Sequence, residues 1–152
     1  MTVHYELSDS IATITMDGGK ANVMSEPMLG ALNAALDRAE RDQAVVLLTG
    51  RARVFSAGYD LATFKRTPPE IVRTLRMGGE LALRILGFPR PVVAACNGHA
   101  IAQGAFTLIA ADARIVRTGL GWRTPADSGT PLELERYRSA HALPEGILAT
   151  GQ

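Results

Sequence analysis

The stretch PVVAACNGHAIAQGAFTLIAADARIV, residues 91–116, has the strand–helix–strand pattern that indicates the fold class. Its first run, 92–96, is short and apolar, which is typical of a strand buried on both faces. After a glycine-containing loop, residues 102–111 predict a helix, and residues 113–116 predict another strand. Strands that alternate with helices in this way indicate an α/β protein with a largely parallel sheet.

The chain before this stretch continues the same alternation. Residues 3–7 and 11–16 predict a β-hairpin, because the first run alternates and the second is rich in β-branched side chains. Ser25 is a suitable N-cap for a helix with Pro27 in its first turn, and apolar residues follow at helical spacing. The continuous apolar run 44–49 predicts a further strand buried on both faces.

A second helix begins at TPPE, residues 67–70. This is a capping box, in which Thr67 caps the helix, Pro68 preorganises its first turn and Glu70 reaches back to the cap. Helical spacing then marks one apolar face on this helix, formed by Ile71, Leu75, Ala82, Ile85 and Leu86.

Composition excludes several classes of protein. The 152 residues are 47% apolar and 20% charged, which is ordinary for a globular domain with a real core. The net charge of +1 gives no electrostatic reason to expect nucleic acid or a membrane as the partner. The one cysteine, Cys96, excludes an internal disulfide and fits a reducing cytosol, so we expect a cytoplasmic protein. No His/Cys cluster has the spacing of metal ligands, so we expect no metal.

Two glycine-containing loops each follow a predicted strand. They are Ser56–Asp60 and Asn97–Gly104. In open α/β sheets ligands collect beyond the carboxyl ends of strands, and a helix that begins near Gln103 presents unpaired N–H groups there. Such N–H groups can bind a developing oxyanion, and small neighbours give access to them. The alternative interpretation is ordinary turn chemistry, because glycine loops commonly follow strands.

Three stretches together carry a resemblance to a known family. RVFSAGYDL at 53–61, the run from Pro89 to Val116, and IATITMDGGKANVMSEPMLGALNAAL at 11–36 stand in the family's order. From Val3 to Val116 the chain resembles the crotonase superfamily, the enoyl-CoA hydratase/isomerase family. The resemblance implies an α/β fold of the crotonase-like ββα spiral type, incomplete at the C-terminus. It divides the chain into an acyl-CoA-binding core, 1–116, and a divergent tail of uncertain structure, 117–152.

The resemblance also implies a chemistry. Members of the family bind acyl-CoA thioesters and polarise the thioester carbonyl with two backbone N–H groups, which motif matching assigns to Tyr59 and Gln103. Coenzyme A arrives as part of the substrate, so no separate cofactor is expected. Full-length members imply a homo-oligomer, a trimer or hexamer. The substrate-binding positions implied by the match are Asn22, Ala57, Tyr59, Asp60, Leu61, Ala62, Gln103 and Gly104.

The sequence departs from the family pattern at both glutamates of typical hydratases. Phe106 stands at the position of the first glutamate, and phenylalanine cannot transfer a proton. The stretch that corresponds to the second is RTPADSG, which offers only Asp127 as a substitute base. The alternative for Asp127 is a loop aspartate that starts a turn. Standard hydration by two glutamates is therefore in doubt.

The resemblance fades after Val116, which implies a truncated or frame-disrupted member of the family. Whether the chain is an enzyme is left open at this point. Three functions remain: a crotonase-like hydratase or isomerase, a catalytically impaired protein that binds acyl-CoA or serves in assembly, and an inactive fragment.

Overall fold

The computed structural model describes residues 2–51 and 53–116. The predicted tail, 117–152, lies outside the described residues. Within the described part, no helix has the combination of length and hydropathy that crossing a membrane requires. Along the chain the elements are β1 (Val3–Ser8), β2 (Ile11–Met16), α1 (Glu26–Arg41), β3 (Val45–Thr49), β4 (Arg53–Ser56), a 3₁₀ helix (Leu61–Lys65), α2 (Pro68–Leu86), β5 (Val92–Cys96), β6 (Gly98–Ala100), α3 (Gln103–Ala110) and β7 (Ala113–Val116).

The main sheet has five strands in the order β1-β2-β3-β5-β7. The hairpin β1–β2 is antiparallel, and every further pair is parallel. A helix lies between each two successive parallel strands along the chain: α1 between β2 and β3, α2 between β3 and β5, and α3 between β5 and β7. The predicted hairpin and the predicted largely parallel sheet are both confirmed.

The two faces of the main sheet differ in burial. On one face, neighbouring strands contribute aligned rows of fully buried side chains, such as Ile14, Leu48 and Ala94. On the opposite face the corresponding residues, among them Leu47 and Val93, are only half-buried. The prediction that these strands are buried on both faces is therefore wrong for the second face. A continuous apolar run does not report which of its faces receives a helix.

A second sheet of two parallel strands, β4 and β6, is absent from the sequence prediction. Both strands are short, and the sequence pattern assigned residues 98–100 to a loop. Gly98 lies directly on the backbone of Arg53 and Val54, where a Cβ atom would overlap the main chain. This sheet carries the two glycine-containing loops, because β4 leads into the first and β6 lies within the second.

Both α1 and α2 begin at the predicted caps, but at Thr67 only the Glu70 half of the capping box forms, because the Thr67 hydroxyl donates to Glu70 Oε2 and makes no cap bond. Ser25 Oγ accepts a hydrogen bond from the Met28 N–H (3.4 Å) at the start of α1. At the start of α2 the Thr67 N–H donates to Glu70 Oε2 (3.1 Å). The buried residues of α2 differ from the predicted apolar face, and Ile85 is the one residue that both sets share. The buried residues are Thr74, Gly78, Leu81 and Ile85.

Candidate functional site

The first loop leaves β4 at Ser56 and is held on both sides by main-chain hydrogen bonds. The Ala57 N–H donates to the Ala21 carbonyl (3.0 Å), and the Met24 N–H donates to the Gly58 carbonyl (2.8 Å). The Gly58 N–H donates to Ser56 Oγ (3.1 Å), and Gly58 has a φ of 86°, which glycine adopts without strain. The loop therefore has a fixed shape where the chain passes to Tyr59.

The second loop leaves β6 and enters α3 within three residues. The Ile101 N–H donates to the Ser56 carbonyl (2.9 Å), which ties this loop to the first. Ala102 precedes the helix with φ 50° and ψ −118°, a strained conformation for a residue that has a Cβ atom. A Cβ atom on Gly104 would lie 2.7 Å from Ser56 Cβ, so only glycine fits between α3 and β4.

The two loops meet at Gly58 and Gln103. A Cβ atom on Gly58 would lie 2.8 Å from the Ile101 carbonyl oxygen and 3.3 Å from the Gln103 nitrogen. Because Tyr59 follows Gly58 directly, backbone bond lengths bring the Tyr59 nitrogen to within about 7 Å of the Gln103 nitrogen. Neither of these two N–H groups donates a hydrogen bond within residues 2–51 and 53–116. The structure thus brings together the two amides that motif matching selected.

The side chains of Tyr59 and Gln103 both reach α2. Tyr59 Oη donates to the Leu75 carbonyl (3.1 Å), and Gln103 Nε2 donates to the Gly78 carbonyl (2.7 Å). A Cβ atom on Gly78 would collide with the Tyr59 phenol, and burial raises the pKa of that phenol. Sequence reasoning used only the main chains of Tyr59 and Gln103 and missed these contacts. The available signal was Gly78-Gly79 inside a helix, since such glycines usually have a packing reason.

An apolar groove of about 540 Å³ runs from Tyr59 and Gln103 between α2 and α3. Phe106 contributes to its wall with a side chain that is 51% exposed. No carboxylate lines the groove in the part of the chain that the structure describes. Three members of the predicted α2 face, Leu75, Ala82 and Leu86, line this groove instead of the core. The full lining is Tyr59, Leu75, Gly79, Ala82, Leu83, Leu86, Gln103, Phe106, Ile109 and Ala110.

Asn22 is fully buried and holds the first loop from behind. Its Nδ2 donates to the carbonyls of Phe55 (2.7 Å) and Met16 (3.2 Å), and its Oδ1 accepts from the Gly18 N–H (2.8 Å). Asn22 has a φ of 49°, which asparagine tolerates better than most residues. The hydrogen bonds of this side chain are all to main-chain partners, and contact of Asn22 with a substrate stays a prediction.

The remaining predicted positions lie on or beside the 3₁₀ helix. Asp60 caps it, because Asp60 Oδ1 accepts from the Ala62 N–H (2.9 Å). Leu61 and Ala62 are exposed on its surface, Leu61 to 77%. Asp127, the candidate substitute base, lies outside the described residues.

Glu26 joins the start of α1 to the side of α2. Its carboxylate accepts from Arg73 (2.7 Å) and from Thr74 Oγ1 (2.9 Å). The hydrogen bond from Arg73, followed by that from Thr74, holds the pKa of Glu26 below its usual value. This contact holds α2, and with it one wall of the groove, against α1.

The largely parallel sheet, the second small sheet and the paired loops define an α/β protein of the crotonase-like fold. The family model described as enoyl-CoA hydratase/isomerase matches residues 6–119. The chain belongs to the enoyl-CoA hydratase/isomerase family.

Individual relatives agree with this assignment. The chain is 37% identical over 113 residues to the "Probable enoyl-CoA hydratase" of Rhodobacter capsulatus, and the match covers 73% of this chain and 44% of the relative. An enoyl-CoA hydratase/isomerase family protein from Pseudomonas syringae has 42% identity and a TM-score of 0.77, over 80% of this chain and 54% of that one. An enoyl-CoA isomerase from Mycobacterium tuberculosis has 46% identity and a TM-score of 0.76, over 80% and 53%. The chain therefore spans about half the length of the relatives it matches.

Proposed function

We propose that the described core binds an acyl-CoA thioester, with the acyl chain in the groove between α2 and α3. The thioester oxygen then lies between the main-chain N–H groups of Tyr59 and Gln103. The observation that carries this proposal is the position of these two amides, which have no partner within the described residues, at the head of an apolar groove. Such a groove suits an acyl chain, because its walls are almost entirely hydrocarbon.

The chemistry available to this arrangement is electrostatic. Negative charge grows on the thioester oxygen when an enolate forms, and preorganised N–H donors stabilise it without reorganisation. One such donor is typically worth about 10²–10³ in rate. The helix dipole of α3 adds a partial positive charge at Gln103, the first residue of that helix. Coenzyme A enters this proposal as part of the substrate.

Binding without hydration is the form of this function that the site favours. Phe106 stands in the groove wall at the position where typical hydratases carry a glutamate, and no carboxylate lines the groove in the described part of the chain. The two-glutamate addition of water therefore has no proton donor or acceptor there. An acyl-CoA-binding protein that polarises the carbonyl satisfies all of these observations.

Calorimetric titration with octanoyl-CoA tests the proposal. We expect binding of octanoyl-CoA that is tighter than that of free coenzyme A. Two substitutions on α2 form a matched pair, because both side chains are exposed and apolar but only one lines the groove: Leu83→Asp and Val72→Asp. Leu83→Asp should weaken octanoyl-CoA binding by about tenfold or more, since a charge would face the acyl chain. A flat titration with the wild-type chain, or equal losses in the two variants, would refute the proposal.

Hydration is measured separately, from the absorbance of crotonyl-CoA. We expect no hydration by the wild-type chain, and turnover at an enzymatic rate would refute binding without hydration. A homo-oligomer and a cytoplasmic location remain part of the proposal. The mass of the purified chain by light scattering tests the first, and cell fractionation tests the second.

A further inference from the structure

We infer that Tyr59 and Gln103 act through their side chains as positioning residues, which fix the direction of their own main-chain N–H groups by binding the backbone of α2. This inference rests on the proposed function of the two amides. Each residue would then have two parts: an N–H that faces the ligand, and a side chain that anchors the residue to a helix.

The two anchors lie on one side of α2. Tyr59 Oη donates to the Leu75 carbonyl, and Gln103 Nε2 donates to the Gly78 carbonyl. Residues three apart on a helix lie on the same face, so both anchor points belong to one turn of α2. A carbonyl within a helix is a fixed point, because the helix backbone is already held by its own hydrogen bonds. The two loops are thus both held against α2 by a side-chain hydrogen bond.

The start of α3 needs such an anchor. Its N-cap is Ala102, which has no side-chain oxygen and therefore makes no capping hydrogen bond. Ala102 is also strained, with a positive φ that alanine rarely adopts. Gln103 is the first residue of the helix, its side chain is buried, and its bond to Gly78 supplies the external restraint that the cap lacks.

Gly78 leaves the space that the Tyr59 ring needs to reach the Leu75 carbonyl. The Tyr59 phenol lies where a Gly78 side chain would stand, 2.8 Å from Cε1 and Cζ to the position of a Cβ atom. The ring also makes an edge contact with Phe64, with a centroid distance of 6.5 Å. The same turn of α2 supplies Leu75 and Gly79 to the groove. The helix that holds the Tyr59 and Gln103 side chains therefore also contacts the acyl chain of the bound ligand.

Infrared difference spectroscopy on the full chain tests the inference. The probe is octanoyl-CoA isotope-labelled at the thioester carbonyl carbon, whose stretching frequency falls when N–H groups polarise the carbonyl. The variants are Tyr59→Phe, which removes only the hydroxyl, and Gln103→Met, which keeps the length of the side chain and removes its donor. Tyr5→Phe is the matched control, because the Tyr5 hydroxyl donates to Asp42 (2.6 Å) and none of its partners belongs to the groove or to the two loops.

We expect each anchor variant to lose more than half of the carbonyl shift, while its octanoyl-CoA dissociation constant rises by less than about threefold. Tyr5→Phe should keep the full shift. A purely structural role would lower stability and binding together and leave the shift of the bound ligand unchanged. If one variant does not fold, Gly78→Ala displaces the same phenol without removing any donor, and it should also reduce the shift.

The outcomes separate the two ideas. A wild-type chain that binds octanoyl-CoA with no carbonyl shift contradicts the proposed role of the amides. A wild-type shift that persists in Tyr59→Phe, Gln103→Met and Gly78→Ala overturns only the positioning role of the side chains.

Discussion

Alanine at Gly78 and alanine at Gly79 should change stability in opposite directions. Both glycines lie inside α2, where replacement of glycine by alanine gains about 0.5–1 kcal/mol from helix propensity alone. A Cβ atom on Gly79 would meet no other atom within 4 Å, so Gly79→Ala should realise that gain. A Cβ atom on Gly78 would lie 2.8 Å from Tyr59 Cε1 and Cζ and would overlap the hydroxyl.

The magnitude follows from what Gly78→Ala must displace. Inserting a carbon into a packed site costs about 1–3 kcal/mol. Moving the Tyr59 phenol also loses its hydrogen bond to Leu75, which adds about 1 kcal/mol. After the propensity gain, Gly78→Ala should be about 1–3 kcal/mol less stable than the wild type. The two variants should therefore differ by about 2–4 kcal/mol.

Urea titration followed by far-ultraviolet circular dichroism measures the difference, since the midpoint falls with stability when the slope is unchanged. A second comparison isolates the cause. Tyr59→Ala should cost less in the Gly78→Ala background than in the wild type, because removal of the ring then also relieves the clash with the new methyl group. Equal stabilisation by the two alanines would show that the Tyr59 ring does not occupy the space above Gly78, and the reasoning on the α2 anchors would fail with it.

Three further predictions concern the loops, the groove and α1. Asn22→Gly keeps the positive φ but removes three hydrogen bonds from a buried site. It should therefore lower the free energy of unfolding, measured in urea, by about 2–4 kcal/mol. A loss below about 0.5 kcal/mol would contradict the role of Asn22 in holding the first loop. Phe106→Ala should weaken octanoyl-CoA binding about fivefold in calorimetry, because apolar contact with the acyl chain is lost. The binding of free coenzyme A should stay unchanged. Equal weakening of octanoyl-CoA and coenzyme A binding would place the acyl chain elsewhere. Because the folded-state pKa of Glu26 lies below its usual 4.5, its contribution to stability is complete above that pH and is lost as the pH falls through the lowered pKa. Glu26→Gln should therefore flatten the acid limb of wild-type stability against pH, and unchanged curves would refute the contribution of its bonds to Arg73 and Thr74.

The replacement of the usual glutamate by Phe106 changes what the groove contains as well as what it lacks. Half of the Phe106 side chain remains exposed in the groove wall, where it adds apolar area to a surface that already consists of aliphatic side chains on α2 and α3. Under the proposed function, phenylalanine at this position adds apolar contact for an acyl chain and cannot transfer a proton. This is the physical basis of the proposal that the groove binds an acyl chain without hydration.

Elements with a local signal can be predicted from the amino-acid sequence. The five strands of the main sheet and the three α-helices follow from apolar periodicity and composition within short windows. The starts of α1 and α2 follow from Ser25 and from the Thr67–Glu70 box, because a cap acts within one helical turn. The motifs around Tyr59 and Gln103 also selected two amides whose loops meet in the fold, and their role in binding an oxyanion stays a prediction.

Features that depend on residues far apart in the chain follow only from the tertiary packing. Pairing of β4 with β6 joins segments about 45 positions apart, and both are too short for their local sequence to indicate a strand. The same holds for α2, where packing of Tyr59 and Gln103 from two other elements determines that Gly78 is buried and that Leu75 faces the groove. Periodicity reports that a helix has an apolar face, but only the neighbouring elements divide that face between the core and a groove, because burial is a property of the contacts and not of the residue.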